Sequence, residues 1–276
     1  PQPRLRHPSK CPGPEMTNRP ITDQGLSIDD IERFGPDPRR SFQINLADVE
    51  RRIAAACHRV GRDPRSVKLL PISKTVPTHI LRLAFDAGIH SFGENKIQEA
   101  RSKHQSLAPL PIEWSIVGHL QTNKVKYLTS FAAAFHALDS LRLADLLNKS
   151  LEKADRFLDI YVQVNTSGEE SKFGLEPHAV PAFVDMLDQF PRLRPRGLMT
   201  IGLLSKDMEK VRPCFRLLRR LRDEAAKRNA AITELSMGMS GDFEEAIEEG
   251  ADVVRIGQAI FGKRPTPDHL YWPGAS

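Results

Sequence analysis

The chain is poor in cysteine, tyrosine and tryptophan, and it has no long hydrophobic run. Its three cysteines, Cys11, Cys57 and Cys214, are odd in number and far apart. That spacing points neither to a disulfide framework nor to a zinc site, and a reducing, cytoplasmic setting is expected. No apolar stretch approaches the roughly 20 residues that span a bilayer, so no membrane segment is expected. The N-terminal region lacks the apolar core of a secretory signal. No strand candidate runs into a glycine-rich dinucleotide turn. The net charge of +5 is mild, and without a reading motif it gives no reason to expect nucleic acid as a partner. Part of it lies in an arginine-rich helix, Arg212 to Arg228, where Phe215, Leu218, Leu221 and Ala225 form one apolar stripe. The arginines of that helix are expected on a solvated outer face.

Proline is plentiful but unevenly spread. Eight of the 21 prolines fall in the first 40 residues, where hydrophobic periodicity is weak. Residues 1–40 are therefore expected to form a disordered leader, with Met16 inside it as a candidate start. Residues 41–265 are expected to be one folded domain and 266–276 a C-terminal tail. A composition of 40% hydrophobic and 27% charged residues suits one large α/β domain with a full core.

From Ser41 onward helix and strand patterns alternate. A helix is predicted over Phe42 to Val60, with Ile44, Leu46, Val49, Ile53 and Ala56 on its apolar side. Eight strand candidates follow: Val67–Ser73, Ile89–Gly93, Ile112–Val117, Ala134–Leu138, Leu158–Val164, Arg196–Thr200, Thr233–Met237 and Asp252–Ile256. Such alternation builds a parallel sheet. Eight units within about 230 residues predict a single (β/α)8 barrel; an open doubly wound sheet is the alternative.

A barrel places its reactive residues at the carboxyl ends of its strands. Lys74 ends the first strand candidate, an unusual place for a costly cation. A partly desolvated amine there would have the lowered pKa that attack on an aldehyde requires. The other strands run into Gly93-Glu94-Asn95, Gly118-His119-Leu120-Gln121, Asp139-Ser140, Asn165-Thr166-Ser167-Gly168, Met199-Thr200, Ser236-Met237-Gly238-Met239-Ser240 and Arg255-Ile256-Gly257. Asn and Asp also favour such positions for local backbone reasons alone, so Asp139 and Asn165 have a plain reading as turn residues.

The loops after strands seven and eight are where a barrel commonly holds phosphate. Here they contain Gly238, Gly241 and Gly257, which allow close backbone approach, and Ser240 just ahead of a short acidic helix. The start of that helix is expected to face an anion. An aldehyde-binding lysine opposite a phosphate cradle suggests pyridoxal 5′-phosphate, with Arg255 placed to meet its pyridine nitrogen. An arginine there disfavours protonation of the ring and weakens it as an electron sink.

Taken together, Ser73-Lys74-Thr75, Phe92-Gly93-Glu94-Asn95, Gly118-His119-Leu120-Gln121-Thr122-Asn123-Lys124, the Gln163 to Lys172 segment, Arg196-Gly197-Leu198-Met199, Leu235 to Ser240 and Val253 to Gly257 resemble the pyridoxal phosphate homeostasis protein family. That family is related to the alanine racemase barrel. The resemblance covers about Ser41 to Lys263 and implies a barrel without the second β-rich domain of racemases. It implies that Lys74 forms a Schiff base and that Asn95 lies beside the cofactor ring. Ser240 and the backbone at Gly257 and Gln258 would hold phosphate, and Arg255 would face the pyridine nitrogen. Gln258 stands where the family commonly has a small hydroxyl residue, and Ala137 where it commonly has serine.

The resemblance also implies a protein that buffers or delivers pyridoxal 5′-phosphate, with apo-enzymes as possible recipients and little or no catalysis. Only 13 residues follow Lys263, and none of the three tyrosines (Tyr127, Tyr161, Tyr271) ends a strand. The acid–base tyrosine of a racemase is therefore not expected, and a monomer is. The alternatives are an amino-acid racemase or aldolase of the barrel type, and a sugar-phosphate aldolase that uses Lys74 with Glu94 for proton transfer.

Overall fold

In the computed structural model, which describes residues 25–263, eight parallel strands make one sheet. They are β1 (Lys68–Pro71), β2 (Ser91–Glu94), β3 (Glu113–Ile116), β4 (Ala134–Leu138), β5 (Leu158–Gln163), β6 (Leu193–Met199), β7 (Glu234–Ser236) and β8 (Val253–Ile256). Helices α1 (Ile28–Phe34) and α2 (Pro38–Arg59) precede β1. Helices α3 (Thr78–Asp86), α4 (Ile97–Ser106), α5 (Val125–Leu128), α6 (Leu141–Ala154), α7 (Val180–Asp185), α8 (Met208–Ala226), α9 (Phe243–Glu248) and α10 (Gln258–Phe261) follow the strands in turn.

The strand order is β1-β8-β7-β6-β5-β4-β3-β2. The two end strands come back together at one bridge, Ile72 with Gly93, and the Ser73 amide donates to the Gly93 carbonyl at 3.0 Å. The sheet thus curls into the expected (β/α)8 barrel, with a seam between β1 and β2 that is laced by little backbone pairing. Parallel strands covered on both faces read as apolar runs rather than alternations, and β4 is buried along its whole length. All eight strands overlap their predicted segments, with ends displaced by a few residues.

The α8 stripe of Phe215, Leu218, Leu221 and Ala225 is buried as expected. Ile44 is not: it is 59% exposed, whereas Phe42, Val49, Ile53 and Ala56 are buried. Steps of three and four residues link Phe42, Leu46, Val49, Ile53 and Ala56, and Ile44, two from its neighbours, falls on the opposite face.

The leader also needs correcting. Residues 1–24 and the tail from 264 lie outside the described residues, but residues 25–40 are ordered. Ser27 and Asp30 form a capping box that starts α1: the Asp30 amide donates to Ser27 Oγ at 3.1 Å, and the Ser27 amide to Asp30 Oδ2 at 3.0 Å. Pro38 sits at the start of α2, where a missing N–H costs nothing, after Asp37 as its cap. Leu26 and Phe34 are buried, and Phe34 meets Phe42 edge-on at 6.1 Å. Within residues 25–40, Pro38 marks a helix start rather than an unfolded segment. No helix among the described residues is long and apolar enough to cross a membrane.

Replacing Phe34 by alanine is expected to lower unfolding free energy by about 3–5 kcal/mol, the cost of truncating a buried phenylalanine. Denaturant titration of the two proteins checks this; equal midpoints would mean that α1 contributes no packing.

Candidate functional site

The carboxyl ends of the strands surround a cavity of about 250 Å³. All six residues expected at the site line it: Lys74, Asn95, Ser240, Arg255, Gly257 and Gln258. Ile72, Val76, Val117, Ile201 and Phe261 supply apolar wall, and Arg33 from α1 adds a third cation. Among the described lining residues there is no Asp, Glu, His, Tyr or Cys. The cavity is built for an anion with an apolar body.

Arg255 is buried at the end of β8. Its Nη1 donates to Ser236 Oγ at 3.0 Å and its Nη2 to the Thr200 carbonyl at 2.8 Å. Burial pushes its pKa down to about 10, opposed by the charge of Asp242, so it stays a cation at neutral pH. Ser236 also bonds His136 Nδ1 at 2.9 Å, and the His136 ring stacks on Tyr161 at 4.1 Å. β4 and β7 are not sheet neighbours, so this contact crosses the barrel interior. Burial and the charges of Arg255 and Lys68 hold His136 well below the usual imidazole range, hence neutral. Tyr161 donates to Glu234, and burial followed by that bond pushes its phenol up. It lies within the barrel and not at the cavity.

Asn95 is brought in by a close backbone approach: a Cβ on Gly118 would lie 2.3 Å from the Asn95 carbonyl oxygen. Gly238 has φ 92°, and a Cβ there would come within 2.7 Å of Ala246 Cβ, so only glycine lets the β7 loop pack on α9. The cavity is lined by Met239, Ser240 and Gly241 from that loop, and by Gly257 and Gln258 at the start of α10. The Ala259 amide points at Ser240 Oγ, 3.5 Å away.

No residue of α9 lines the cavity, which corrects the expectation for that helix. Asp242, just before the helix, turns its carboxylate back to accept from the Met239 amide at 2.6 Å and caps no amide of α9. Glu244 and Glu248 of α9 pair with arginines of α2 and α8, and Glu249, just past the helix, with arginines of α8. Arg52 pairs with Glu244 at 2.8 Å, and Arg59 reaches Glu248 at 2.6 Å. Arg216 meets Glu249 at 3.0 Å. Four of the α8 arginines, Arg212, Arg216, Arg219 and Arg222, therefore serve as partners for acids rather than as a purely solvated face.

Other strand-end residues keep their plain roles. Asn165 Nδ2 donates to the Glu169 carbonyl at 3.0 Å, within its own loop. Ser140 caps α6. His119 stacks on Phe173 at 4.1 Å and lies 3.7 Å from Asp139, whose carboxyl burial pushes up against the pull of His119. Thr200 contributes through its carbonyl. No group of three His, Cys, Asp or Glu among the described residues could hold a metal ion.

Two residues of the site region are silent in the sequence reading. Arg33 lies in the segment assigned to the leader; the Ser27-x-x-Asp30 capping signature was the cue. Lys103 occupies the apolar stripe of α4, in step with Ile97 and Ala100, and is buried. Its Nζ donates to the Ser73 carbonyl at 2.8 Å, to Glu94 Oε1 at 2.7 Å and to Glu99 Oε1 at 2.6 Å.

The sequence matches the family described as alanine racemase, N-terminal domain, over residues 44–265. It is 45% identical over 220 residues to the pyridoxal phosphate homeostasis protein of Aquifex aeolicus (strain VF5), covering 79% of this chain and 96% of that one. The chain belongs to the pyridoxal phosphate homeostasis protein family. Its human member is 40% identical over 244 residues, covering 81% of this chain and 88% of the other. The structure of PipY from Synechococcus elongatus PCC7942 with PLP bound superposes with a TM-score of 0.71 at 31% identity, over 80% of this chain and all of that one.

Glu94 generates a pH prediction. It is fully buried, and burial pushes its pKa up from 4.5 to about 7, with Lys103 pulling down, Glu99 pushing up, and bonds from Lys103 and Ser73 pulling down. A carboxyl whose folded pKa exceeds its unfolded value stabilises the fold most when protonated. Its contribution is complete below about pH 4.5 and is lost as pH rises through about 7. Glu94→Gln is expected to remove that decline, so the stability difference between variant and parent should shift in the variant's favour across this window. Parallel pH–stability curves would refute it.

Proposed function

We propose that this chain binds pyridoxal 5′-phosphate as a homeostasis protein, holding it covalently on Lys74 and buffering or delivering it. The observation that carries the reading is one cavity lined by Lys74, Arg255 and Ser240, with apolar walls and no carboxylate. The fit is chemical. An anionic phosphate finds the Ser240 hydroxyl and the Gly257–Gln258 turn, and the apolar walls of the cavity take a flat ring. When bound, the cofactor supplies an electrophilic aldehyde and an electron-accepting ring. Lys74, which lines the cavity, would be the residue that holds the cofactor through its aldehyde carbon, with the aldehyde oxygen released as water. Asn95 and Arg255 line the same cavity and would hold the ring and its nitrogen. The names of the relatives and the PLP-bound state of PipY support this reading.

Little or no catalysis belongs to the same proposal. Arg255 is held as a fixed cation by Ser236 and Thr200, and it opposes protonation of a ring nitrogen placed before it. The described cavity lining offers no second acid–base side chain beside Lys74, and such help is worth roughly 10²–10⁴-fold in rate. Transfer of the cofactor to an apo-enzyme is the expected activity. The buried free thiols of Cys57 and Cys214 suit a reducing, cytoplasmic setting, and we read the protein as a monomer.

Lys74→Ala is expected to abolish the visible absorbance of the bound aldehyde while leaving the fold intact and a weaker, phosphate-mediated binding in place. Borohydride reduction and peptide mapping of the parent protein locate the adduct; a pyridoxyl group on another lysine would sink the assignment.

Alanine or serine incubated with the loaded protein in heavy water is expected to exchange its α-proton no faster than with a generic lysine adduct. Exchange at enzyme-like rates that disappears in Lys74→Ala would make the protein a racemase or aldolase.

A further inference from the structure

The peptide on each side of Lys74 is clamped from a different direction. The Ser73 carbonyl accepts from Lys103 Nζ at 2.8 Å and from the Val76 amide at 3.0 Å. The Thr75 carbonyl accepts from Arg33 Nη1 at 2.7 Å, Thr75 Oγ1 from Arg33 Nη2 at 3.0 Å, and the Thr75 amide donates to Glu99 Oε1 at 2.7 Å. Thr75 has φ 65°, in the left-handed region that a β-branched residue avoids. Strain of this kind persists only where surrounding bonds over-determine it, and here three bonds on Thr75 and two on the Ser73 carbonyl do.

Lys103 is the inner half of the clamp. A buried ammonium is costly unless each donor is used, and its three acceptors, Ser73 O, Glu94 Oε1 and Glu99 Oε1, use all of them. Ser73, after β1, and Glu94, on β2, stand on the two banks of the barrel seam, and Glu99 lies on α4 one turn before Lys103. Ser73 Oγ also donates to Glu94 Oε1 at 2.6 Å, so side chains close the seam where strand pairing is sparse. Arg33 is the outer half, and its Nε reaches the Lys263 carbonyl at 3.2 Å.

We propose that Lys103, with Arg33 on the opposite flank, is a positioning residue for Lys74. The two cations hold the Ser73–Thr75 turn so that the amine meets the aldehyde in one orientation. The inference rests on Lys74 being the attachment point, and neither Lys103 nor Thr75 lines the cavity.

The test uses the full chain stripped of cofactor, with Lys103→Met, Thr75→Gly, Arg33→Met and Arg33→Lys. Stopped-flow absorbance at saturating pyridoxal 5′-phosphate reads the rate of bond formation. Calorimetry with pyridoxine 5′-phosphate, which has no aldehyde, reads non-covalent affinity. Misplacing a reacting group by about 1 Å costs up to roughly a hundredfold, so Lys103→Met is expected to slow bond formation by about tenfold to a hundredfold. Its affinity for pyridoxine 5′-phosphate should stay close to the parent's. Thr75→Gly keeps the test open if Lys103→Met does not fold, because glycine adopts this φ without strain; it too should slow the step. Arg33→Lys should recover part of the rate lost in Arg33→Met. Unchanged rates in folded Lys103→Met or Thr75→Gly would overturn the proposal. So would an equal loss of pyridoxine 5′-phosphate affinity, which would assign the effect to the cavity itself. If the parent protein forms no adduct on Lys74, the attachment point is wrong and the clamp has no such role; that result is read from the parent alone.

Discussion

A guanidinium buried at the end of β8 constrains much of this site. Burying a charge without partners is prohibitive, so Ser236 and the Thr200 carbonyl must stand where Arg255 needs acceptors. That requirement fixes the exits of β6, β7 and β8 relative to one another. It also helps to keep His136 neutral: burial disfavours the imidazolium most, and the charges of Arg255 and Lys68 add to that. The interior is thus a bonded polar stack in which one group carries charge toward the cavity.

Charge is separated by depth around the site. Cations and a hydroxyl face the cavity, whereas carboxylates stand behind it. Glu94 and Glu99 hold the underside of the lysine turn, Asp242 accepts from the Met239 amide, and Glu244 and Glu248 of α9 pair with arginines of α2 and α8. A cavity with cations in front and acids in its supports attracts an anion without exposing a competing carboxylate.

Much of this was legible because it is local in sequence. Strands buried on both faces read as apolar runs, and each residue expected at the site lies at a strand exit or in the loop that leaves it. What escaped depends on contacts between distant segments. Lys103 bonds a carbonyl 30 positions away and Arg33 one that is 42 positions away; no spacing rule encodes either. Proline-rich composition hid α1, although Ser27 and Asp30 spell its start. Ile44 was misplaced by reading hydrophobicity without counting the helical step. The role given to α9 failed because the loop ahead of it, Met239 to Gly241, and not the helix itself, lines the cavity.

The outward glutamates give the site a sensitivity that its cavity alone does not have. α9 backs the β7 loop through the close contact at Gly238, and α9 is itself moored to α2 and α8 by arginine–glutamate pairs at least partly open to solvent. Such pairs weaken as the Debye length shrinks, to roughly 8 Å at physiological ionic strength and less above it. Dissolved salt therefore acts twice on an anion held here: it screens the attraction of the cavity's cations, and it slackens the moorings of the helix behind Ser240.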